Sequence, residues 1–191
     1  FATVLDRHVP VIINTGPSLS GQPLPDDQIT KVLSSMLLHS LRRSIQTTCG
    51  GWRKAERAVT IYSDELSLLA GSSGDILEWM RNMGREFGVR LVLATQFPEQ
   101  LEPKLRTTVM GFATLISGRQ TDPGVLGGIV ASLNRDGSSW TESEVSQLPN
   151  FESVVQASVG GSPLRAVSIR NAFWGEGTPD VVAFRRANGR S

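Results

Sequence analysis

Cysteine is nearly absent from the sequence, since Cys49 is the only one among 191 residues. A single cysteine excludes an intrachain disulfide and every metal site built from several cysteines, and it favours a reducing cytoplasmic location over a secreted one. Long apolar runs are missing as well, because no stretch approaches the roughly 20 apolar residues of a membrane-spanning helix. The sequence indicates instead a packed core, which its 39% hydrophobic content is sufficient to form.

Charge of one sign is not in excess either, because 19 basic residues stand against 18 acidic ones and the net charge is +1. So small a charge gives no bulk field that could draw the chain to nucleic acid or to a membrane. Any contact with nucleic acid must therefore come from a local basic patch. Sixteen of the basic residues are arginine and three are lysine, and arginine suits forked contacts to carboxylate and phosphate groups.

Strand candidates alternate with helix candidates along the chain. Apolar runs rich in β-branched residues predict strands at residues 9–14, 58–63, 89–95 and 111–117. Segments with a helical period or capping residues predict helices at residues 26–46, 75–87, 122–133 and 141–148. Residues 153–159 and 164–170 flank a glycine-rich turn, which predicts a hairpin. This order predicts an α/β fold, in which helices flank a mostly parallel sheet and an antiparallel hairpin extends one edge.

Polar side chains follow three of the predicted strands. Asp64 and Glu65 come directly after the second predicted strand, Gln96 follows the third, and Arg119 follows the fourth. Ligands of parallel α/β sheets bind outside the carboxyl ends of the strands. These four residues are therefore the candidate functional residues of the sequence.

The chemistry of these side chains suits magnesium-dependent nucleotide hydrolysis. Asp64 could hold a hydrated Mg²⁺, and Glu65 could orient and deprotonate an attacking water. Gln96 could donate to a γ-phosphate while it accepts from a water, and Arg119 is a candidate phosphate contact. Each has an ordinary alternative, because the first three side chains could satisfy loop backbone groups and Arg119 could form a surface ion pair.

Residues 60–98 resemble the Walker B half of a motor ATPase of the FtsK–HerA superfamily, and most closely the conjugative coupling proteins of the TraG type. The shared pattern is an apolar strand, Asp-Glu, a helix ending in Arg-x-x-Gly-Val, and an apolar strand ending in Thr-Gln. The resemblance implies a RecA-like P-loop NTPase-type fold. It also implies that Asp64 is the Walker B ligand of Mg²⁺ through water, that Glu65 is the catalytic base and that Gln96 senses the γ-phosphate.

A Walker A loop, G-x-x-x-x-G-K-[ST], is missing from this pattern. Its nearest match is residues 16–23, where Gln22 replaces the lysine and Pro23 replaces the metal-binding hydroxyl. Prolines there also remove backbone donors from a phosphate cradle. We therefore assign no nucleotide-binding residue in this chain. We expect residues 1–170 to be the carboxyl-terminal part of a RecA-like ATPase domain, incomplete at its N-terminal side, and residues 171–191 to be a loosely ordered tail.

The function implied by the resemblance is part of an ATP-driven DNA-translocating motor, for conjugative transfer or DNA pumping. ATP and Mg²⁺ would be cofactors of the parent protein, whereas we expect this chain alone to be inactive and to bind neither tightly. The implied partners are DNA, further copies in a homo-hexamer, and membrane-anchored transfer machinery reached through segments outside this chain. The implied location is the cytoplasm, at the inner face of the membrane. The alternative is a non-catalytic module with a degenerate nucleotide-binding fold that serves protein–protein interaction.

Overall fold

The computed structural model describes residues 1–13, 27–67 and 74–171 of the chain. The chain divides into two compact units, Phe1–Thr108 and Val109–Ser191. Residues 16–23 lie outside the described ranges, and so does the predicted tail except for Asn171. Within the described ranges, no helix is both long enough and apolar enough to cross a bilayer.

The first unit combines a parallel pair of strands with several helices. Its helices are α1 (Ala2–Arg7), α2 (Asp27–Thr48), α3 (Gly74–Asn82) and α4 (Pro103–Met110), the last of which continues into the second unit. Its strands are β1 (Val59–Ser63) and β2 (Val89–Leu93), and 3₁₀ turns cover Gly84–Phe87 and Pro98–Gln100. Beyond residue 26 these elements confirm the strand and helix order predicted from the apolar patterns.

Strands β1 and β2 are parallel and in register, from Val59 opposite Val89 to Ser63 opposite Leu93. Both strands have five residues, so their carboxyl ends lie at the same edge of the pair. Side chains that follow either strand are consequently brought to one place, as expected for parallel strands.

Gly88 holds the amino-terminal edge of this pair together. Its carbonyl accepts the Val59 N–H at 3.1 Å, one residue before β2 begins. Its φ is +74°, and a Cβ at this position would lie 2.4 Å from the carbonyl oxygen of Arg57. Only glycine allows both the left-handed conformation and this close approach of two backbones.

Buried apolar side chains join the helices of the first unit to its core. On α3 they are Ile76, Leu77 and Met80, and on α2 they include Leu38 and Ile45. Helix α4 is linked to α3 by Lys104, whose Nζ lies 2.8 Å from Asp75 Oδ1 and 3.0 Å from Glu78 Oε2. These ion pairs are exposed, so they orient the two helices more than they stabilise them.

The strand predicted at residues 9–14 is wrong over residues 9–13, which form no strand. The sequence analysis missed helix α1, which ends at His8 in the left-handed conformation. The Val9 N–H donates to Val4 O at 3.2 Å to close that helix, and Pro10 has no N–H to donate. The first two residues of the predicted strand therefore offer no donor to a β-ladder. The remaining residue of that prediction, Asn14, lies outside the described ranges.

The second unit is an antiparallel sheet covered by two helices. Its elements are β3 (Thr114–Ser117), α5 (Pro123–Leu133), a 3₁₀ turn (Asn134–Asp136), α6 (Glu142–Ser146), β4 (Glu152–Val159), β5 (Ser162–Pro163) and β6 (Val167–Arg170). Strand β4 pairs with β3, β5 and β6, always antiparallel. The predicted hairpin is confirmed, and the strand predicted at residues 111–117 joins the sheet of that hairpin.

Local sequence signals explain the shape of this second unit. Gly160 and Gly161 have φ of +61° and +88°, as the two-residue turn of a hairpin requires. Thr141 and Glu144 form the predicted capping box at the start of α6, because the Glu144 N–H donates to Thr141 Oγ1 and the Thr141 N–H donates to Glu144 Oε2. The core of the unit is formed by Val125, Leu126, Ile129, Leu133, Val145, Leu148, Val154 and Ala166.

Candidate functional site

The carboxyl ends of β1 and β2 bring three of the predicted site residues together. Asp64 and Glu65 follow the last residue of β1, and Gln96 lies three residues beyond the end of β2. The Leu66 N–H donates to the Ala94 carbonyl at 2.8 Å, which continues the pairing of the two segments past the strands. Asp64, Glu65 and Gln96 therefore share one edge of the parallel pair.

The Glu65 carboxylate is held by donors from both segments. Its Oε1 accepts from Ser67 Oγ at 2.9 Å, from the Ser67 N–H at 3.2 Å and from Thr95 Oγ1 at 2.9 Å. Its Oε2 accepts one longer contact, from the Gln96 N–H at 3.4 Å. Among the described residues, Oε1 thus has three donors, whereas Oε2 has one long contact and room for another hydrogen-bond partner.

Burial and hydrogen bonding act in opposite directions on the pKa of the Glu65 carboxyl. Burial raises the pKa, while the hydrogen bonds from Ser67, Thr95 and the Gln96 N–H lower it, and the pKa ends below its usual value. Hydrogen bonds donated to a carboxylate favour the charged form. Glu65 is therefore ionised at neutral pH, with Oε2 as the oxygen that could accept a proton from water.

Asp64 is exposed and directly precedes Glu65 in the chain. No group of three or more metal-binding side chains occurs in the described part of the chain. Mg²⁺ does not need such a group, because it keeps several waters and takes one or two carboxylates together with phosphate oxygens. Asp64 fits that role as a single carboxylate open to solvent, provided that phosphate supplies the other ligands.

Gln96 contributes its backbone to the site, and Thr95 contributes a side chain that the sequence analysis did not select. The Gln96 N–H contacts Glu65, while its exposed side chain remains available to another group. Thr95 and Ser67 supply the short hydrogen bonds. Their positions in the sequence were the available signal, because Thr95 directly precedes Gln96 and Ser67 lies two residues after Glu65.

Arg119 belongs to the second unit, two residues beyond the end of β3, and its side chain is exposed. It has no ion pair among the described residues. The structure places it after a strand, as predicted, but in a different unit from Glu65. Its role as a phosphate contact stays a prediction.

An open groove of about 790 Å³ runs beside β1 in the first unit. It is lined by β1, by helices α1 and α2, by residues 9–13, and by Asp64 and Glu65. Its volume is in the range of small-molecule sites. Neither lysine nor arginine belongs to its described lining, and two carboxylates repel phosphate. The described residues therefore form no phosphate cradle without an added cation.

No family model and no curated protein matches the chain. Several solved structures match it. Among them are plasmid coupling protein TrwB with a non-hydrolysable GTP analogue (20% identity, TM-score 0.56), TrwB with ADP and Mg²⁺ (22%, 0.57), and an unbound form of the bacterial conjugative coupling protein TrwB (19%, 0.55). Each alignment covers 80% of this chain. The chain has the fold of the part of TrwB that it matches.

This likeness confirms the predicted fold class, because helices, a small parallel sheet and an antiparallel sheet that contains the predicted hairpin match part of a RecA-like P-loop NTPase-type fold. It concerns the fold alone. The chain spans about 40% of the length of the TrwB chains that it matches. Two of the TrwB structures were determined with nucleotides, one of them with Mg²⁺.

Proposed function

We propose that the chain is part of an ATP-driven motor for DNA transfer, related to conjugative coupling proteins, and that it supplies the Walker B and sensor residues. One observation carries this proposal. In a chain with the TrwB fold, an exposed aspartate, a hydrogen-bonded glutamate and a Thr-Gln pair share the carboxyl edge of two parallel strands.

Each residue takes one step of the proposed chemistry. Asp64 holds Mg²⁺ through water, and the metal neutralises phosphate charge when nucleotide is bound. Glu65 takes the proton of the attacking water on Oε2, which accepts the long contact from the Gln96 N–H and has room for the water. Gln96 uses its exposed amide to contact the γ-phosphate and the water. In the same proposal, Arg119 contacts phosphate.

The proposal extends to the protein in which the chain works. Residues 1–170 are the carboxyl-terminal part of the ATPase domain, and a preceding segment of the protein supplies the phosphate loop. This arrangement is supported by the absence of a Walker A motif from the sequence and by the fraction of TrwB that the chain spans. By the same resemblance, the motor is a homo-hexamer that moves DNA at the inner face of the membrane, where anchored transfer machinery receives it.

A second function is a non-catalytic module that keeps the nucleotide-binding fold for protein contacts. The groove beside β1 favours it, because its described lining has two carboxylates and neither lysine nor arginine. The two functions differ in whether Glu65 is needed for hydrolysis.

The deciding experiment uses the full-length gene product that carries this chain. Glu65→Gln retains the side-chain shape and removes the base, so we expect Mg-ATP affinity to stay near the wild-type value. Hydrolysis should fall by roughly 10²–10⁴-fold, as for other positioned general bases. Glu102→Gln is the matched control, since Glu102 is exposed and lies away from the site on the chain. Wild-type hydrolysis by Glu65→Gln would favour the non-catalytic module.

A further inference from the structure

The amino-terminal edge of the parallel pair, opposite the edge that carries Glu65, is strongly basic. Four arginine side chains and one glutamate line an open concavity of about 550 Å³ at this edge. The arginines are Arg53, Arg57, Arg85 and Arg90, and the glutamate is Glu56. The whole chain has a net charge of only +1, so this is the kind of local patch that a polyanion requires.

Two of these arginines are fixed by other protein groups. Arg53 Nη1 lies 2.6 Å from Glu86 Oε1 in an ion pair. Arg57 Nη2 donates to His8 Nε2 at 2.7 Å, and its guanidinium carbon lies 4.2 Å from the centroid of the Trp52 ring. Arg53 and Arg57 therefore already have partners within the protein.

The other two arginines keep their donors free. Arg85 and Arg90 are exposed, and neither has a hydrogen bond or ion pair from its side chain within the described ranges. Between them, Gly88 is pressed against the Arg57 carbonyl, where even a Cβ would overlap the backbone. The backbone that carries the two free side chains is consequently held in place before any ligand binds.

We propose that this concavity binds phosphodiester groups of a DNA strand, through the free guanidinium groups of Arg85 and Arg90. Each guanidinium offers several N–H donors in a planar fork that matches phosphate oxygens. The choice of DNA among polyanions rests on the proposed function, whereas the anion site itself rests on the geometry of these arginines. The negative charge of Glu56 reduces the positive charge of the concavity, but the four arginines outnumber it.

The composition of the concavity indicates contacts to the DNA backbone and not to the bases. Its lining besides the charged residues is Ala58, Gly88 and Val89, so it has no aromatic surface for base stacking. The nearby Trp52 is only 5% exposed and is covered by Arg57. Binding should therefore be independent of sequence and strongly dependent on salt.

The test measures fluorescence anisotropy of a labelled oligo(dT) strand with the 191-residue chain over a series of salt concentrations. The variant Arg85→Ala/Arg90→Ala should bind about tenfold more weakly, and the slope of log K against log[salt] should shrink by about 1.4 for two lost contacts. Lys31→Ala/Arg43→Ala is the matched control, because it removes two exposed positive charges from α2. This control should bind like the wild type.

Further variants keep the result interpretable. Arg85→Lys/Arg90→Lys preserves both positive charges but removes the planar guanidinium donors. It should therefore keep the slope of log K against log[salt] and lose part of the affinity for DNA. Glu65→Gln should bind DNA normally, which separates this site from the catalytic proposal. The proposal is overturned if the wild type does not bind the oligonucleotide at low salt, or if the control variant weakens binding as much as the arginine variant. It is also overturned if an acidic peptide displaces the DNA when peptide and DNA supply the same concentration of negative charges.

Discussion

Thr95 and Glu65 are 30 residues apart in sequence and are joined by a hydrogen bond of 2.9 Å, donated by Thr95 Oγ1 to Glu65 Oε1. Thr95 Oγ1 also accepts the Phe97 N–H at 3.3 Å. Because that acceptor position is occupied, the hydroxyl hydrogen is directed toward Glu65. The bond links the carboxyl end of β2 to the residue after β1 and fixes the side of the carboxylate that faces the protein.

Thr95→Val should raise the pKa of the Glu65 carboxyl toward its usual value. Valine has nearly the same shape as threonine but cannot donate, so one hydrogen bond that favours the charged form is lost. The measurement is an NMR titration of the Glu65 carboxyl carbon in this chain. Thr95→Ser keeps the donor and should restore the wild-type pKa. An unchanged pKa in Thr95→Val would show that Thr95 does not hold the carboxylate in solution.

The stability loss in Thr95→Val should depend on pH in a defined direction. The folded-state pKa of Glu65 is lowered, so its contribution to stability is present above the unfolded value of about 4.3 and is lost as pH falls through the folded pKa. At neutral pH we expect Thr95→Val to lower the free energy of unfolding by about 1 kcal/mol. The effect is no larger because the carboxylate is partly open to solvent. Denaturant unfolding should show a larger difference at neutral than at strongly acidic pH, because the loss of the acceptor for the Phe97 N–H contributes equally at both.

Local sequence signals were sufficient to predict the order of helices and strands beyond residue 26. The helical spacing of α2, the proline and capping signals of α5 and α6, and the glycine turn of the hairpin act locally, and each predicted its element. The helix predicted at residues 75–87 stops as an α-helix at Asn82 and continues as a 3₁₀ turn from Gly84. A Cβ on Gly84 would lie 3.0 Å from Val89, which is a packing constraint that periodicity does not reveal.

The candidate site was predictable only in part. Strand order places Asp64, Glu65 and Gln96 at one edge, and the sequence shows that order directly. Which donors hold Glu65 depends on the parallel register of β1 and β2, so the sequence analysis missed the contact from Thr95.

Gly88→Ala should destabilise the first unit far more than Gly51→Ala. Both glycines have positive φ, +74° and +78°, but only the Cβ at position 88 would overlap another backbone, at 2.4 Å from Arg57 O. Gly51→Ala should lower the free energy of unfolding by about 1 kcal/mol, because alanine is disfavoured in the left-handed conformation. Gly88→Ala should lower the free energy of unfolding by at least about 2 kcal/mol more, since the backbone must move to make room for the Cβ. Equal losses in urea unfolding would contradict the close approach.

The 191-residue chain should bind Mg-ATP weakly and hydrolyse it negligibly. The groove beside β1 has carboxylates and neither lysine nor arginine in its described lining, whereas phosphate sites in proteins rely on an amide cradle and cations. Calorimetry with Mg-ATP should show no saturable binding at micromolar concentrations. Micromolar affinity would mean that a phosphate site exists in this chain, with residues 16–23 as the first segment to mutate.

Asp64→Asn should separate metal binding from proton transfer when it is compared with Glu65→Gln in the full-length gene product. Removing the charge of Asp64 weakens the shell of Mg²⁺, so nucleotide affinity in the presence of magnesium should fall together with hydrolysis. Glu65→Gln should reduce hydrolysis alone. Affinity and steady-state turnover, measured for both variants with and without Mg²⁺, give the comparison. If Asp64→Asn binds Mg-nucleotide as tightly as the wild type, Asp64 is an exposed loop residue and the metal must be held by another group.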